Sequence, residues 1–158
     1  MTIKQKVSTC LWFDRNGEEA AIYYVSLFSD SRIVGVTRYG EGAPLPKGTA
    51  MLTRFELGGV EFAALNGGPH FRLTEACSLV ALCETQAEID RLWTALIADG
   101  GAESQCGWLR DRFGLSWQII PEGVDKMMAD PVKGARVFEA IMPMKKIDLA
   151  KLRQAYSG

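Results

Sequence analysis

Apolar residues recur along the chain with two different periods, and the order of the resulting segments repeats once. Alternation with a period of two predicts strands at residues 7–13, 32–39, 49–57 and 60–65. Apolar residues at i, i+3 and i+4 spacing predict a helix over residues 17–28, between the first two strands. The first half of the chain is therefore predicted to have the order β-α-β-β-β.

The second half restarts the same order after the glycine-rich loop that ends near residue 71. Thr85 and Glu88 form a capping box for a helix predicted at residues 86–98, and Asn16 is predicted to cap the first helix. A further strand can split off before Cys106. Three strands are predicted outright in this half, at residues 77–83, 106–109 and 115–120.

Beyond Pro121 the pattern predicts helices alone. The predicted segments are residues 123–129, 131–141 and 148–156. The two β-α-β-β-β halves superimpose in sequence order, with Glu19 matching Glu88 and Gly59 matching Gly114. Since two copies are too few for a repeat array, we interpret this as a duplicated unit whose copies can meet edge to edge and curl into a shared trough.

One stretch, QCGWLRDRFGLSWQIIP at residues 105–121, carries the most informative pattern. Gly114 is free to adopt a positive φ, so the Asp-Arg-Phe-Gly sequence predicts a turn between two strands. In the strand that follows, alternation places Trp117 and Gln118 on opposite faces. The surface that Gln118 faces is therefore the first place to look for a binding site.

Charge and composition exclude several classes of function. The net charge of −1 provides no general attraction for nucleic acid or anionic membranes, and the longest apolar run, residues 77–83, is too short to span a bilayer. The N-terminal MTIKQKVST lacks the apolar core of a signal peptide, so we expect a cytoplasmic protein. The four cysteines form no Cys-x-x-Cys pair, which argues against a structural zinc site.

Several short motifs occur along the chain: Leu11-Trp12-Phe13-Asp14, Glu18-Glu19-Ala20, Cys106-Gly107-Trp108-Leu109, Phe113-Gly114 and Trp117-Gln118. Together they resemble the PhnB-like proteins, some of which carry the name 3-demethylubiquinone 3-methyltransferase. Those proteins belong to the vicinal-oxygen-chelate superfamily with glyoxalase I, bleomycin-resistance proteins and extradiol dioxygenases. No glycine-rich loop between a strand and a helix supports binding of a nucleotide-like methyl donor.

The resemblance implies an α+β fold in which two tandem βαβββ modules form a curved eight-stranded mixed sheet, followed by a helical C-terminal tail. We expect one domain, 1–158, of the glyoxalase/bleomycin-resistance type. Module one would span about 6–71, module two about 76–121 and the tail 122–158. The resemblance also implies a homodimer.

The metal-dependent members of this superfamily take their ligands from the start of the first strand and the end of the last strand of each module. Alignment within each module places Thr9, Ala63, Ser78 and Gln118 at those positions, with a margin of one residue each. A divalent ion needs three or four imidazole or carboxylate donors, and the single histidine, His70, lies outside the set. We therefore expect no metal and no other cofactor.

Gln118 and three tryptophans are the candidates for ligand contact. Gln118 is either a polar anchor for a ligand or an interior glutamine bonded to a neighbouring strand. Trp108, Trp117 and Trp12 either wall a pocket or fill the core.

Two loops carry the remaining candidates. Asn66 and His70 lie in a loop that can close over the trough, and His70 is the residue whose pKa ordinarily lies nearest neutrality. Cys106 is either a reactive thiolate or an inert thiol. The methionine-rich segment 142–148 can cover the trough, form a dimer surface or dock on its own module.

Three functions are consistent with these features. The first is a metal-free small-molecule binding protein with its ligand in the sheet trough, with neither nucleic acid nor membrane as a partner. The second is a divergent enzyme of the same superfamily, a lyase, isomerase or quinone-related transferase. It would act on a small carbonyl or aromatic substrate and use Gln118, His70 or Cys106 for acid–base or covalent chemistry, with His70 and Cys106 as the candidate catalytic residues. The third is a dimeric scaffold whose trough is filled by its own side chains.

Overall fold

The computed structural model describes residues 5–158, and the chain divides into two compact units, Met1–Leu73 and Thr74–Gly158. The division falls in the loop between the two predicted modules. Within the described residues no helix is both long and apolar enough to cross a membrane. The two units are described separately below.

The first unit has the predicted βαβββ order. Its sheet is mixed, with strand order β1-β4-β3-β2, and β1 runs parallel to β4 while the other neighbours are antiparallel. The predicted first strand, residues 7–13, begins two residues late. The elements are β1 (Thr9–Phe13), α1 (Gly17–Leu27), β2 (Arg32–Arg38), β3 (Ala50–Leu57) and β4 (Val60–Asn66).

Helix α1 covers one face of the first sheet. Leu11, Phe13, Tyr24 and Phe55 are buried between them, and Phe55 stacks on Phe62 with ring centroids 5.6 Å apart. Because successive residues of a strand point to opposite sides of the sheet, the face turned away from α1 carries the other half of the strand side chains.

The predicted cap of helix α1 is wrong. Asn16 occupies the N-cap position, but its side chain makes no capping bond. The Asn66 side chain, from the end of β4, accepts the Gly17 backbone N–H at 2.8 Å instead. Gly17 has no room for a side chain, since a Cβ there would lie 2.7 Å from Asn66 Oδ1. The helix is thus capped by a residue distant in sequence.

The second unit repeats the arrangement, with strand order β5-β8-β7-β6 and β5 parallel to β8. The further strand allowed before Cys106 is present as the short β6. Thr85 caps the helix as predicted, accepting the Glu88 N–H at 3.2 Å. The elements are β5 (Ser78–Cys83), α2 (Gln86–Ile97), β6 (Ala102–Glu103), β7 (Trp108–Arg110) and β8 (Ser116–Pro121). The chain is therefore α+β with two tandem βαβββ modules and four strands in each sheet.

A buried carboxylate holds the turn between β7 and β8. Asp111 is 2% exposed. Its Oδ1 accepts the backbone N–H of Phe113 at 2.9 Å and of Leu115 at 3.0 Å, while its Oδ2 accepts the Trp117 indole N–H at 2.9 Å. Asp111 thereby fixes Trp117 on the helix side of the sheet, which directs Gln118 to the opposite side.

The C-terminal tail folds as the three helices predicted, each within a few residues of its expected bounds. They are α3 (Val124–Ala129), α4 (Gly134–Ile141) and α5 (Leu149–Ser157). Their shared core consists of Val124, Val137, Ile141, Ile147 and Leu152. The tail is tied to the second module by backbone hydrogen bonds from Cys106 N to Met144 O and from Gly107 N to Lys145 O, both 2.7 Å long.

Candidate functional site

The face of the second sheet that is turned away from α2 is rich in exposed apolar side chains. Trp117 and Ile119 of β8 are buried, whereas Gln118 and Ile120 alternate with them on the other face. The prediction that Gln118 lies opposite Trp117 is confirmed. On the adjacent strand β5, Val80 is 53% exposed. This face therefore carries the apolar surface that a ligand site requires.

The tail lies along this face and forms with it a partly open cavity of about 650 Å³. That volume is within the range of small-molecule pockets, about 300–1,000 Å³. All of the lining residues belong to the second unit. From the sheet they include Val80, Leu82, Trp108, Gln118 and Ile120, and from the tail Val124, Met128, Phe138, Ile141 and Met142.

Gln118 combines both roles considered for it from the sequence. Its Nε2 donates a hydrogen bond of 2.9 Å to Ser78 Oγ on the neighbouring strand, which holds the amide in place. Within residues 5–158 this is its only side-chain hydrogen bond, so Oε1 keeps its capacity to accept. The cavity thus contains a fixed acceptor on an otherwise mainly apolar wall.

Two of the three tryptophans of this unit, Trp108 and Trp117, lie in different places, one in the cavity wall and one in the core. Trp108 is half-buried and lines the cavity, as the pocket interpretation requires. Trp117 is 2% exposed and bonds to Asp111, so it belongs to the core. The pairing Trp108–Gln118 across β7 and β8 places the indole beside the carboxamide.

Cys106 lies at the edge of the same cavity, where the chain turns into β7. Its φ of 57° is left-handed, and Gly107 follows with a φ of 83°. The Cys106 Sγ lies 3.7 Å from the Met142 carbonyl oxygen and 4.0 Å from the Met142 Sδ. Burial raises the pKa of another thiol, Cys83, to about 12, so that thiol is protonated at neutral pH.

Trp12 holds down the loop predicted to act as a cover. Its indole N–H donates to Gly68 O at 2.9 Å, and its ring meets Phe71 edge to face with centroids 4.9 Å apart. Gly67 packs so closely that a Cβ there would lie 2.3 Å from the indole. Trp12 therefore positions this loop, and His70 lies exposed within it.

Asn66 is 2% exposed, and both ends of its amide are used within the fold. Its Oδ1 accepts the Gly17 N–H, and its Nδ2 donates to Ala50 O at 3.0 Å. A ligand would have to displace these bonds. Trp12, Asn66 and His70 all belong to the first unit.

Of the four positions predicted to correspond to metal ligands, the structure changes the one in β1. Ser78 and Gln118 share a face and are hydrogen-bonded. In the first unit, however, the partner of Ala63 across β1 and β4 is Cys10. Thr9 lies on the same face as the buried Leu11, so the position in the first strand moves by one residue, within the margin of the alignment, to Cys10.

A hydroxyl, a carboxamide, a methyl and a thiol do not fit a divalent ion that prefers imidazole and carboxylate donors. Among residues 5–158, no group of three or more His, Cys, Asp and Glu side chains could hold a metal.

Several residues of the cavity were not identified from the sequence. Met142 belonged to the predicted covering segment, but Met128 and Phe138 did not. The available signal was in α4, where Val137 and Ile141 pack into the tail core while Phe138 remains 54% exposed on another side of the helix. An exposed aromatic beside an apolar face is a reason to look for a pocket.

Comparisons with known proteins agree with this architecture. A family described as 3-demethylubiquinone-9 3-methyltransferase matches residues 5–120. The solved structure of a putative 3-demethylubiquinone-9 3-methyltransferase, PhnB protein, from Bacillus cereus is 38% identical with a TM-score of 0.69, and the match covers 74% of this chain and 99% of that chain.

Two more distant structures share the fold alone. A protein from Pseudomonas aeruginosa is 23% identical with a TM-score of 0.61, over 75% of this chain and 98% of that chain. A genomically encoded fosfomycin resistance protein, FosX, from Listeria monocytogenes is 12% identical with a TM-score of 0.51, over 79% of this chain and 98% of that chain. Among curated proteins, none matches the chain significantly.

Proposed function

Because the chain belongs to the 3-demethylubiquinone-9 3-methyltransferase family, a PhnB-like group within the vicinal-oxygen-chelate superfamily, we propose that it binds a small molecule on the open face of its second sheet. The fold alone does not assign a reaction, since one fold can support unrelated chemistries. We therefore do not assign to this chain the methyltransferase activity that the family description names.

The observation that carries the proposal is the cavity of about 650 Å³ between the second sheet and the tail. Its walls are mainly apolar, and Gln118 presents an acceptor held in place by Ser78. Ligand sites typically combine such an apolar lining with a few fixed polar groups, which orient the ligand. The scaffold hypothesis predicts that no small molecule binds, so binding in this cavity would contradict it.

Metal-free binding is part of the proposal. The donors offered by the strand positions do not suit a divalent cation, so binding would rest on packing and hydrogen bonds. Metal analysis of protein purified without an affinity tag tests this point. Near-stoichiometric zinc, nickel or manganese would contradict it.

The decisive test fills the cavity and asks whether binding is lost. A thermal-shift screen of small fragments identifies compounds that raise the unfolding midpoint, and amide NMR shifts locate them. Val80→Phe places a larger side chain in the cavity, and Val80 is exposed enough to accept it. We expect each compound to bind at least about tenfold more weakly, equivalent to about 1.4 kcal/mol.

Val60→Phe is the matched control, because Val60 is a strand valine of similar exposure in the first unit, 49% against 53%. Compounds that bind Val80→Phe and Val60→Phe equally well would place the site elsewhere. A screen without a single stabilising compound, together with turnover in another assay, would contradict the binding function.

Of the three residues that the enzyme hypothesis names, two line the cavity. Cys106 and Gln118 both line it, whereas His70 is in the first unit. If the protein is a divergent enzyme, we expect Cys106→Ser or Gln118→Leu to reduce turnover of a carbonyl or quinone-like compound. Unchanged turnover in both cavity variants would reject these assignments.

We propose further that the protein is a homodimer, which is the arrangement suggested by its resemblance to the superfamily. Light scattering of the purified full-length chain measures the mass directly. A mass of one chain, 17.4 kDa, over the working concentration range would contradict the dimer.

A further inference from the structure

The tail completes a site that the family portion of the chain leaves open. The family match ends at residue 120, yet Met128, Phe138 and Met142 all line the cavity. The tail is held in place by the paired backbone bonds at Cys106 and Gly107 and by Gln86, whose amide bonds to Ile147 O at 3.1 Å and Leu149 N at 2.8 Å. The outer wall is thus a fixed part of the second unit.

We propose that the tail selects the ligand, and that the ligand is an uncharged aromatic molecule with one hydrogen-bond donor. This inference rests on the proposed binding function and adds the class of molecule bound. The sheet contributes the acceptor and one aromatic wall. The tail contributes the opposing wall, and Phe138 is its principal specificity-determining residue.

The composition of the walls favours an aromatic body. Trp108 on the sheet and Phe138 on the tail supply two aromatic rings, and Cys106, Met128 and Met142 supply three sulfur-bearing side chains. Aromatic rings pack favourably with other rings, and polarizable sulfur atoms contact ring edges favourably. A purely aliphatic ligand would gain less from these walls.

Charge selects against ionised ligands. Glu122, Asp125 and Lys126, the charged residues that line the cavity, are all exposed at its edge, and two of the three are acidic. An ionised group placed against the apolar inner walls would lose its hydration, because the charged lining residues all lie at the edge, and this desolvation is costly. An anion would in addition meet the two carboxylates.

Gln118 selects for a donor. Its Nε2 is already bonded to Ser78, so the atom available to a ligand is the acceptor Oε1. A hydroxyl or N–H on the ligand satisfies this acceptor. A ligand with no donor leaves it unsatisfied when water is excluded, and that weakens binding.

Three naphthalenes test the assignment, with affinities measured by calorimetry on the full-length chain. 2-Naphthol is aromatic, uncharged and a donor, 2-methoxynaphthalene lacks the donor, and naphthalene-2-sulfonate is anionic. We expect 2-naphthol to bind about tenfold more tightly than either of the others. Gln118→Met, which keeps the length of the side chain and removes its amide, should abolish the preference for 2-naphthol over 2-methoxynaphthalene.

Phe138→Ala tests the tail. We expect it to weaken 2-naphthol binding about tenfold through loss of the ring contact. Phe138 is half-exposed, so the variant should fold. Val132→Ala is the control, because Val132 is an exposed tail residue that does not line the cavity, and binding should be unchanged.

The outcomes separate this inference from the proposed function. If Trp108→Ala abolishes 2-naphthol binding while Phe138→Ala leaves it intact, the cavity is the site and the role of the tail is wrong. If screened fragments bind in a Val80-dependent manner but 2-naphthol shows no preference, the ligand class is wrong and the binding function stands. If nothing binds, both fail.

Discussion

The two units share one topology but stabilise it with different residues. In the first unit the β3–β4 hairpin turns through Gly58 and Gly59, both with positive φ, and helix α1 is capped by a distant asparagine. In the second unit a buried carboxylate, Asp111, organises the corresponding turn, and helix α2 is capped by Thr85 directly before it. The duplicated order of elements does not require duplicated interactions.

The difference extends to the open faces of the sheets. At the matched register the first unit places Cys10 beside Ala63, while the second places Val80 beside Gln118. The second unit also carries the tail, which turns its open face into a cavity. The common topology therefore supplies a platform, and the side chains and the added segment determine where a ligand site forms.

The largest expected loss of stability comes from a substitution that disrupts the β7–β8 turn of the second unit. Asp111→Ala removes three hydrogen bonds to a buried carboxylate, so we expect a loss of about 3 kcal/mol in the free energy of unfolding, measured by denaturant titration. Gly59→Ala in the first unit places a side chain at a φ of 78° and should cost only about 1 kcal/mol. Equal losses would contradict the difference between the two turns.

The next effect compares the caps of the two helices. Asn66→Ala leaves the Gly17 N–H and the Ala50 carbonyl without their buried partner, so we expect a loss of about 2 kcal/mol. Thr85→Ala removes an exposed cap and should cost about 1 kcal/mol. Denaturant titration of both variants gives the comparison, and a smaller loss for Asn66→Ala than for Thr85→Ala would refute it.

The smallest effect has the opposite sign. Thr53 is fully buried beneath α1, and its hydroxyl is the buried side-chain polar atom without a hydrogen-bond partner among residues 5–158. Thr53→Val keeps the shape and removes the unsatisfied group, so the first unit should gain about 1 kcal/mol in thermal or chemical unfolding. Thr53→Ser, which keeps the hydroxyl and loses a methyl group, should be less stable than the native chain.

Features that depend on residues close together in the sequence were predicted correctly. The alternation of Trp117 and Gln118 correctly assigned the two faces of β8, and the Thr85–Glu88 spacing correctly placed the start of α2. The resemblance carried by the Cys-Gly-Trp-Leu stretch identified the family. These features depend on residues a few positions apart, so they can be read directly from the chain.

Features that depend on tertiary placement were predicted wrongly or missed. Asn66 caps a helix that begins 49 residues earlier, so the nearer Asn16 was chosen. Asp111 lies in the predicted turn, but the burial of its side chain was not predicted, because it depends on the packing of Trp117 against the sheet. The cavity itself arises only when Phe138 and Met128 are brought across the sheet.

The close meeting of α3 and α4 has a consequence for how the cavity can change. A Cβ at Gly134 would lie 2.1 Å from the Met128 carbonyl oxygen, so the two helix backbones are in direct contact. Neither helix can therefore shift toward the other to make room. We expect a larger ligand to bind only if α3 and α4 move together as one rigid body. Affinity should therefore fall abruptly, rather than gradually, once a ligand exceeds the size of the cavity.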